Sequence, residues 1–219
     1  MYLEKIMVVA AHPDDEVLGV GGTLSKLAKK GHEIKILVLG AGRDEDFTGA
    51  TSGVVQKQAI EGVCNKLPSH FEVLDFPDNR YDSVSLLSIV RDVEKSIDDF
   101  MPATIFTHWD GDLNIDHRIT SQAVMTAARP FKDTPVRDIY CFEVPSSTDW
   151  SFKRFPANAF SDISGYMEEK ISLLRHYDSE MRKFPHPRSY ENVKALARVW
   201  GAASGFEYAE AFVLARKTL

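Results

Sequence analysis

Residue types that bind metal ions crowd into one short stretch near the start of the chain. Residues 12–16 read His-Pro-Asp-Asp-Glu and follow an apolar run at residues 5–11. His12 and Asp15 are three residues apart, a spacing that lets both side chains point the same way on the first turn of a helix. A hydrolytic zinc site usually takes three protein ligands, drawn from histidine and carboxylate, and leaves a further position for water. This stretch therefore supplies two candidate ligands for such a site.

A second polar stretch offers the third ligand. His117 lies in residues 108–118, which follow the apolar run at residues 103–107. If the two apolar runs are neighbouring parallel strands, His117 reaches the same sheet edge as the first two ligands. Asp14 can then accept a proton from water without coordinating the metal. The structural alternative is that Asp14 or Asp15 caps the following helix, whose N-terminus favours negative charge.

The hydrophobic pattern predicts an open α/β fold with a mostly parallel sheet and helices on both faces, because the apolar runs lack the alternation of half-exposed strands. Predicted strands cover residues 5–11, 34–39, 71–76, 103–107, 138–144 and 211–215. Predicted helices cover residues 23–30, 54–67, 86–100, 166–182 and 191–203, with one more after residue 118. Residues 146–164 are aromatic but irregular in pattern, so we expect a packed connection. The length fits one domain, residues 1–219.

The composition argues against several partners. Twenty-six basic residues against 32 acidic ones give a formal charge of -6, without the basic cluster typical of nucleic-acid binders. No apolar run approaches the roughly 20 residues that a membrane span needs. Cys64 and Cys141 show no metal-binding spacing and are interpreted as free thiols. We therefore expect a soluble cytoplasmic protein with a small-molecule substrate, and a homo-oligomer stays open.

Several motifs together resemble one known family. Residues 10–16, followed by Gly-Gly-Thr at residues 21–23, resemble the first motif of the zinc-dependent N-acetylglucosaminyl deacetylase superfamily, called PIG-L or LmbE-like. Residues 112–118, Asp-Leu-Asn-Ile-Asp-His-Arg, resemble its second motif. Three further segments also resemble bacterial members of the family, at residues 76–80, 185–189 and 208–212. The resemblance thus extends over nearly the whole chain.

The resemblance implies a three-layer, Rossmann-like fold and a hydrolase that removes the N-acetyl group from an N-acetylglucosamine-type sugar or its conjugate. It implies that His12, Asp15 and His117 bind Zn²⁺, with another divalent metal such as Fe²⁺ as the alternative. It also implies that Asp14 is the general base for zinc-bound water.

One position departs from the family pattern. The second motif commonly has a histidine where this chain has Asn114, and that histidine is placed to assist the tetrahedral intermediate or to protonate the leaving amine. Asparagine can donate a hydrogen bond to an oxyanion, but it is no proton-transfer acid near neutrality. We therefore expect Asn114 to steady the oxyanion. The proton donor is left open among His108, His186 and Asp14.

Four further residues are candidates for binding the substrate. Asp78 and Arg80 follow the third predicted strand, Arg188 lies in a proline-bounded loop, and Arg43 lies in a glycine-rich loop. An aspartate there can accept hydrogen bonds from sugar hydroxyls, and an arginine can hold a carboxylate or phosphate. The alternatives are an ordinary turn, with Asn79 in a left-handed conformation, and solvated surface charges.

Two other function classes compete with the hydrolase. Residues 19–22, rich in glycine, follow a strand as in nucleotide-binding proteins, but residues 12–16 would put three negative charges where phosphates bind. A sugar-binding protein that kept the fold and lost catalysis is consistent with Asn114. The intact Asp14 argues against that loss.

Overall fold

The computed structural model describes residues 3–40, 53–131 and 134–218. In these ranges seven strands form one sheet in the order β3-β2-β1-β4-β5-β7-β6. The strands are β1 Lys5–Ala10, β2 Glu33–Val38, β3 His70–Val73, β4 Thr104–His108, β5 Asp138–Phe142, β6 Ala159–Asp162 and β7 Ala209–Arg216. The helices are α1 Asp15–Lys29, α2 Gly53–Lys66, α3 Leu86–Phe100, α4 Ile115–Ala127, α5 Met167–Leu174 and α6 Tyr190–Ser204.

The sheet reverses its strand order between β1 and β4. The chain runs outward from β1 through β2 to β3, and then restarts on the other side of β1 with β4 and β5. These five strands are parallel, whereas β7 runs antiparallel to both β5 and β6. Open α/β sheets bind ligands at such a reversal, beyond the carboxyl ends of the strands. The predicted mostly parallel α/β fold is confirmed.

Two hydrophobic layers enclose the sheet. Successive residues of β1 point to opposite faces, so that Val8 packs in one layer and Val9 in the other. Helices α1, α2, α5 and α6 cover the first face, and α3 and α4 cover the second. This is the expected arrangement with helices on both faces. None of the helices in the described ranges has the length and hydropathy that a membrane span requires.

Helix α1 begins at Asp15, eight residues before the predicted start at residue 23. The apolar spacing predicts this helix only from residue 23, because the glycines before it lower helix propensity. Glycine occupies these positions because the helix packs closely against its neighbours. A Cβ at Gly19 would overlap the Phe142 ring, and one at Gly22 would lie 2.9 Å from Ile163 Cδ1. The early start places Asp15 on the first helical turn.

Two other predictions are corrected. Residues 146–164 were predicted to be irregular, but β6 lies within them and pairs with β7 at the edge of the sheet. Four residues are too few to show a strand period. The helix predicted for residues 166–182 is α5, which ends at Leu174 and continues only as the single 3-10 turn Arg175–Tyr177.

A buried ion pair fixes the position of α1. Lys170 of α5 donates to Glu210 Oε1 of β7 at 2.6 Å and to the Leu18 carbonyl at 2.7 Å. The Glu210 carboxylate accepts the amides of Gly22 and Thr23 at 2.9 and 2.8 Å. Both charged residues are only 4% exposed. Because the pair takes its remaining hydrogen bonds from the backbone of α1, it ties that helix to α5 and β7.

Lys170→Met should therefore destabilise the protein strongly, because it leaves the Glu210 carboxylate buried without a counter-charge. We expect a loss of about 3–5 kcal/mol in the free energy of unfolding, measured by urea denaturation. Lys194→Met is the matched control, because Lys194 pairs with the exposed Glu168 at 2.7 Å and should contribute no more than about 1 kcal/mol. Equal losses in the two variants would contradict the assignment, as would a Lys170→Met/Glu210→Gln double variant that recovers nothing.

Glu143, which follows β5, should make stability depend on pH. The Trp200 indole N–H donates to this carboxylate, yet burial raises the pKa of Glu143 from 4.5 to about 7. As pH rises through this interval, the unfolded chain ionises first, so the folded state loses relative stability. Urea unfolding between pH values of about 5 and 8 should show wild type losing stability relative to Glu143→Gln. A difference that does not change with pH would contradict this expectation.

Candidate metal-dependent active site

Two strand-to-helix corners meet at the carboxyl edge of the sheet. Residues 11–14 join β1 to α1, and residues 109–114 join β4 to α4. Since β1 and β4 are parallel neighbours, both corners lie at the same edge. The Ala11 amide donates to His108 Nε2 at 2.9 Å, a direct hydrogen bond between the corners.

This junction brings His12, Asp15 and His117 together. Asp15 Oδ2 accepts the His12 amide at 2.9 Å and lies 3.4 Å from both His12 Nδ1 and His117 Nε2. One potential ligand atom from each residue lies within 4.8 Å of the other two. Asp15 and His117 are 0% and 1% exposed. The three residues therefore form a compact group of nitrogen and oxygen donors.

Two atoms of this group fit a cation better than a hydrogen bond. Asp15 Oδ1 and His117 Nε2 are buried without a hydrogen-bond partner among the described residues. Buried polar atoms of this kind are uncommon in folded proteins. A carboxylate oxygen and an imidazole nitrogen both offer lone pairs, which a divalent metal ion can accept from both at once. The donor set thus suits zinc or another divalent transition metal.

Asp112 orients His117 for this role. Its Oδ1 lies 3.3 Å from His117 Nδ1, and its Oδ2 accepts the hydroxyls of Ser147 and Thr148 at 3.1 and 2.6 Å. The contact favours a proton on Nδ1 and leaves the Nε2 lone pair for a metal. Burial acts to lower the pKa of His117, but Asp15 and Asp112 outweigh it and raise that pKa.

Asp116 holds His12 in a similar way. Its Oδ2 lies 3.0 Å from His12 Nε2, and its Oδ1 accepts the Tyr81 amide at 3.0 Å. Asp78 Oδ1 lies 2.9 Å from the same nitrogen, so that His12, Asp78 and Asp116 make a second compact group. Burial acts to lower the pKa of His12, but Asp116, Asp15 and Asp78 outweigh it and raise that pKa well above its ordinary value.

Sequence reasoning missed the positions of Asp112 and Asp116 around the two histidines. Both acids lie in the second motif, and Asp116 directly precedes His117. Their density beside a candidate ligand was the available signal, because metal-bound histidines commonly donate their other N–H to a carboxylate. Which acid serves which histidine depends on tertiary contacts that the sequence pattern does not contain.

Asp14 is held in an unusual backbone conformation at the same corner. Its φ is +104°, which is rare for a residue other than glycine. Its amide donates to Glu16 Oε2 at 3.0 Å, and the Tyr177 hydroxyl donates to Glu16 Oε1 at 2.7 Å. Arg188 Nη1 donates to Asp14 Oδ2 at 2.8 Å. Burial raises the pKa of Asp14 well above its ordinary value and outweighs the opposing effect of Arg188.

The candidate proton donors and the candidate oxyanion donor differ in their exposure to solvent. His108 is 0% exposed, accepts the Ala11 amide and stacks on His117 with ring centroids 4.1 Å apart. Asn114 is partly exposed and caps α4, because its Oδ1 accepts the Asp116 amide at 2.8 Å. His186 is also partly exposed, and its Nδ1 accepts the Arg188 amide at 3.1 Å. Their catalytic roles stay predictions.

The candidate substrate residues are only partly brought together. Asp78 contacts His12 of the candidate metal-binding group, and Arg188 contacts Asp14 beside that group. Arg80 is exposed on the turn after Asp78, in which Asn79 adopts a left-handed φ of +54°. Arg43 lies outside the described residues. The binding roles of all four candidates stay predictions.

The sequence matches known deacetylases. Residues 7–128 match the family model described as PIG-L: GlcNAc-PI de-N-acetylase. The chain is 27% identical over 182 residues to the uncharacterized deacetylase YaiS of Escherichia coli strain K12, covering 80% of this chain and 90% of that protein. It is 25% identical over 228 residues to a diacetylchitobiose deacetylase of Thermococcus kodakarensis, covering 95% and 82%.

The fold also matches a solved structure. The conserved protein TT1542 of Thermus thermophilus superposes with a TM-score of 0.80 at 23% sequence identity. The match covers 99% of this chain and 97% of that one. The likeness in fold therefore extends over nearly the full length of both chains.

Asp116→Asn should weaken metal binding while leaving the three proposed ligands in place. The amide oxygen can still accept the Tyr81 N–H, but the NH2 group then faces His12 Nε2 and cannot accept a hydrogen bond from it. We therefore expect the affinity for Zn²⁺ to fall about 10- to 100-fold. Competition with a chromophoric chelator measures this affinity. Asp110→Asn, at an exposed position of the same corner, is the matched control and should bind zinc like wild type. Unchanged affinity in Asp116→Asn would rule out the orienting role.

Proposed function

Because the chain belongs to the PIG-L family, described as GlcNAc-PI de-N-acetylase, we propose that it is a metal-dependent hydrolase. The reaction would remove the N-acetyl group from an N-acetylglucosamine-type sugar or its conjugate. One observation carries the proposal: Asp15 Oδ1 and His117 Nε2, which have no hydrogen-bond partner in the described part of the chain, lie beside a buried carboxylate, Asp14, at one sheet edge. The relative from Thermococcus kodakarensis, a diacetylchitobiose deacetylase by name, supports an N-acetylated sugar as substrate.

His12, Asp15 and His117 would hold the metal. Two imidazoles and one carboxylate suit Zn²⁺, and they also suit Fe²⁺. When bound, the ion would supply Lewis-acid polarisation of the acetamide carbonyl and a lowered pKa for water. Asp112 and Asp116 would keep the two histidines oriented toward it.

Asp14 would move the protons. Arg188 Nη1 contacts Asp14 Oδ2 at 2.8 Å, so Oδ1 is the oxygen that we assign to proton transfer. It would take a proton from the attacking water as the new C–O bond forms. The same proton would then pass to the sugar nitrogen as the C–N bond breaks. The immediate products are acetic acid and the free amine, and the acid then ionises to acetate as its proton passes to the amine or to water.

Asn114 would stabilise the oxyanion. Its Oδ1 is committed to the cap of α4, which fixes the orientation of the amide and leaves the Nδ2 hydrogens as donors. The nearest described partner of Nδ2 is Asn79 Oδ1, at the long distance of 3.5 Å. A substrate oxyanion is a better acceptor than this distant amide oxygen.

His186 is the alternative proton donor to the leaving amine. It is partly exposed on the loop that also carries Arg188, whereas His108 is fully buried with Nε2 already hydrogen-bonded. We therefore assign His108 to holding the two corners together. Asp78, at the metal group, would accept hydrogen bonds from sugar hydroxyls. Arg80, Arg43 and Arg188 would contribute to holding the rest of the conjugate.

The test of the base is Asp14→Asn, which keeps a hydrogen-bond acceptor for Arg188 and removes the proton acceptor. We expect zinc content equal to that of wild type and a rate of acetate release about 10²- to 10⁴-fold lower. Substrates for the assay are N-acetylglucosamine, diacetylchitobiose and lipid or glycan conjugates of N-acetylglucosamine. Removing the metal with a chelator should abolish release, and adding zinc should restore it.

Asp110→Asn serves again as the control with one carboxylate fewer near the site. Full turnover by zinc-loaded Asp14→Asn would exclude Asp14 as the base. Acetate release that survives complete metal removal would exclude the metal-dependent reaction itself.

A further inference from the structure

Two loops beside the proposed active site expose phenylalanine rings to solvent. Residues 146–155 follow β5 and carry Phe152, which is 101% exposed. Residues 182–189 carry Phe184, which is 65% exposed. Large apolar side chains exposed in a group mark interaction surfaces more often than inert ones. We refer to these two segments as the rim loops.

The rim loops touch both the site and each other. In the first loop, the hydroxyls of Ser147 and Thr148 donate to Asp112. In the second loop, Arg188 pairs with Asp14. The rings of Trp150 and His186 meet edge-on, with centroids 5.5 Å apart, and Trp150 is itself 55% exposed. The rim loops therefore form one continuous surface at the mouth of the site.

Each exposed phenylalanine is flanked by two basic residues. Phe152 is followed by Lys153 and Arg154, and Phe184 is preceded by Arg182 and Lys183. All four basic residues are exposed. This concentration of positive charge stands out in a chain with a formal charge of -6.

Acidic groups near the rim loops only partly offset that charge. In the first loop Asp149 is exposed, but its Oδ2 accepts the Ser146 amide at 2.8 Å. Glu180, two residues before the second loop, is only partly exposed. The exposed Glu191 follows the second loop, but within the rim loops themselves Asp149 is the one acidic residue against four exposed cations.

We propose that the rim loops dock on an anionic lipid surface. Aromatic rings partition into the headgroup region of a bilayer, and lysine and arginine are attracted to anionic headgroups. An uncharged apolar partner would match the rings but leave the four cations without a complement. Docking would bring the site close to N-acetylated sugars carried on lipid, and this consequence rests on the proposed function. The docking itself does not depend on the proposed function.

Vesicle sedimentation with the full chain tests the proposal. The protein should sediment with phosphatidylcholine vesicles that contain phosphatidylserine, bind weakly to phosphatidylcholine alone, and dissociate as salt screens the charges. Phe152→Ser/Phe184→Ser should weaken binding about tenfold or more, because two rings that would be buried in the bilayer are removed. Lys153→Glu/Lys183→Glu should reduce binding to the anionic vesicles selectively.

The matched control is Phe131→Ser. Phe131 is also 65% exposed, and it also has a basic neighbour. The guanidinium carbon of Arg129 lies over the Phe131 ring, 5.1 Å from the ring centroid. It follows α4, at the opposite edge of the sheet from the site, so its loss should leave vesicle binding unchanged. Equal losses in Phe131→Ser and Phe152→Ser/Phe184→Ser would overturn the proposal.

Three other results would overturn it: equal binding to both vesicle types, binding unaffected by the rim variants, or a change of oligomeric state in these variants by light scattering. The last result would assign the rings to an interface between copies of this chain. Asp14→Asn should bind vesicles like wild type, so failure of the proposed reaction and failure of docking are distinguishable. Circular dichroism checks folding, and the charge variant decides if the phenylalanine variant does not fold.

Discussion

The hydrogen bond from the Ala11 amide to His108 Nε2 joins the ends of β1 and β4, and the whole candidate site depends on this junction. Burial and the neighbouring His117 hold the pKa of His108 well below its ordinary value, so the ring is neutral and can accept the bond. With the strands paired in parallel, residues more than a hundred positions apart in the sequence reach one sheet edge. The group of His12, Asp15 and His117 thus depends on strand order rather than on any single motif.

Electrostatics explains why this corner suits a cation. Four carboxylates, those of Asp15, Asp78, Asp112 and Asp116, converge on two histidines in a largely buried space. Buried negative charge is costly unless it is paired or coordinates a metal. The carboxylates raise the pKa of both histidines, so protonated imidazoles offset part of the negative charge. A bound divalent ion would offset the remaining charge. The same field disfavours phosphate, which argues against a nucleotide at this corner.

The sequence was most informative where chemistry is local and least informative where tertiary contacts decide. The apolar runs located the central strands, and the spacing of His12 and Asp15 identified candidate ligands that the structure brings together with His117. Helix α1 was predicted too short, because its glycines serve packing against Phe142 and Ile163. The partners of Asp116 and the rim loops' exposed rings depend on how distant segments approach each other, which no residue pattern records.

Anomalous diffraction from crystals of the zinc-loaded protein tests the central claim most directly, because two overlapping groups share His12. The account predicts one zinc peak within about 2.0–2.2 Å of Asp15 Oδ1, His117 Nε2 and a nitrogen of His12. Asp112 and Asp116 would then contact the histidines and not the ion. A peak on the group of His12, Asp78 and Asp116, or no ordered zinc at this corner, would contradict it.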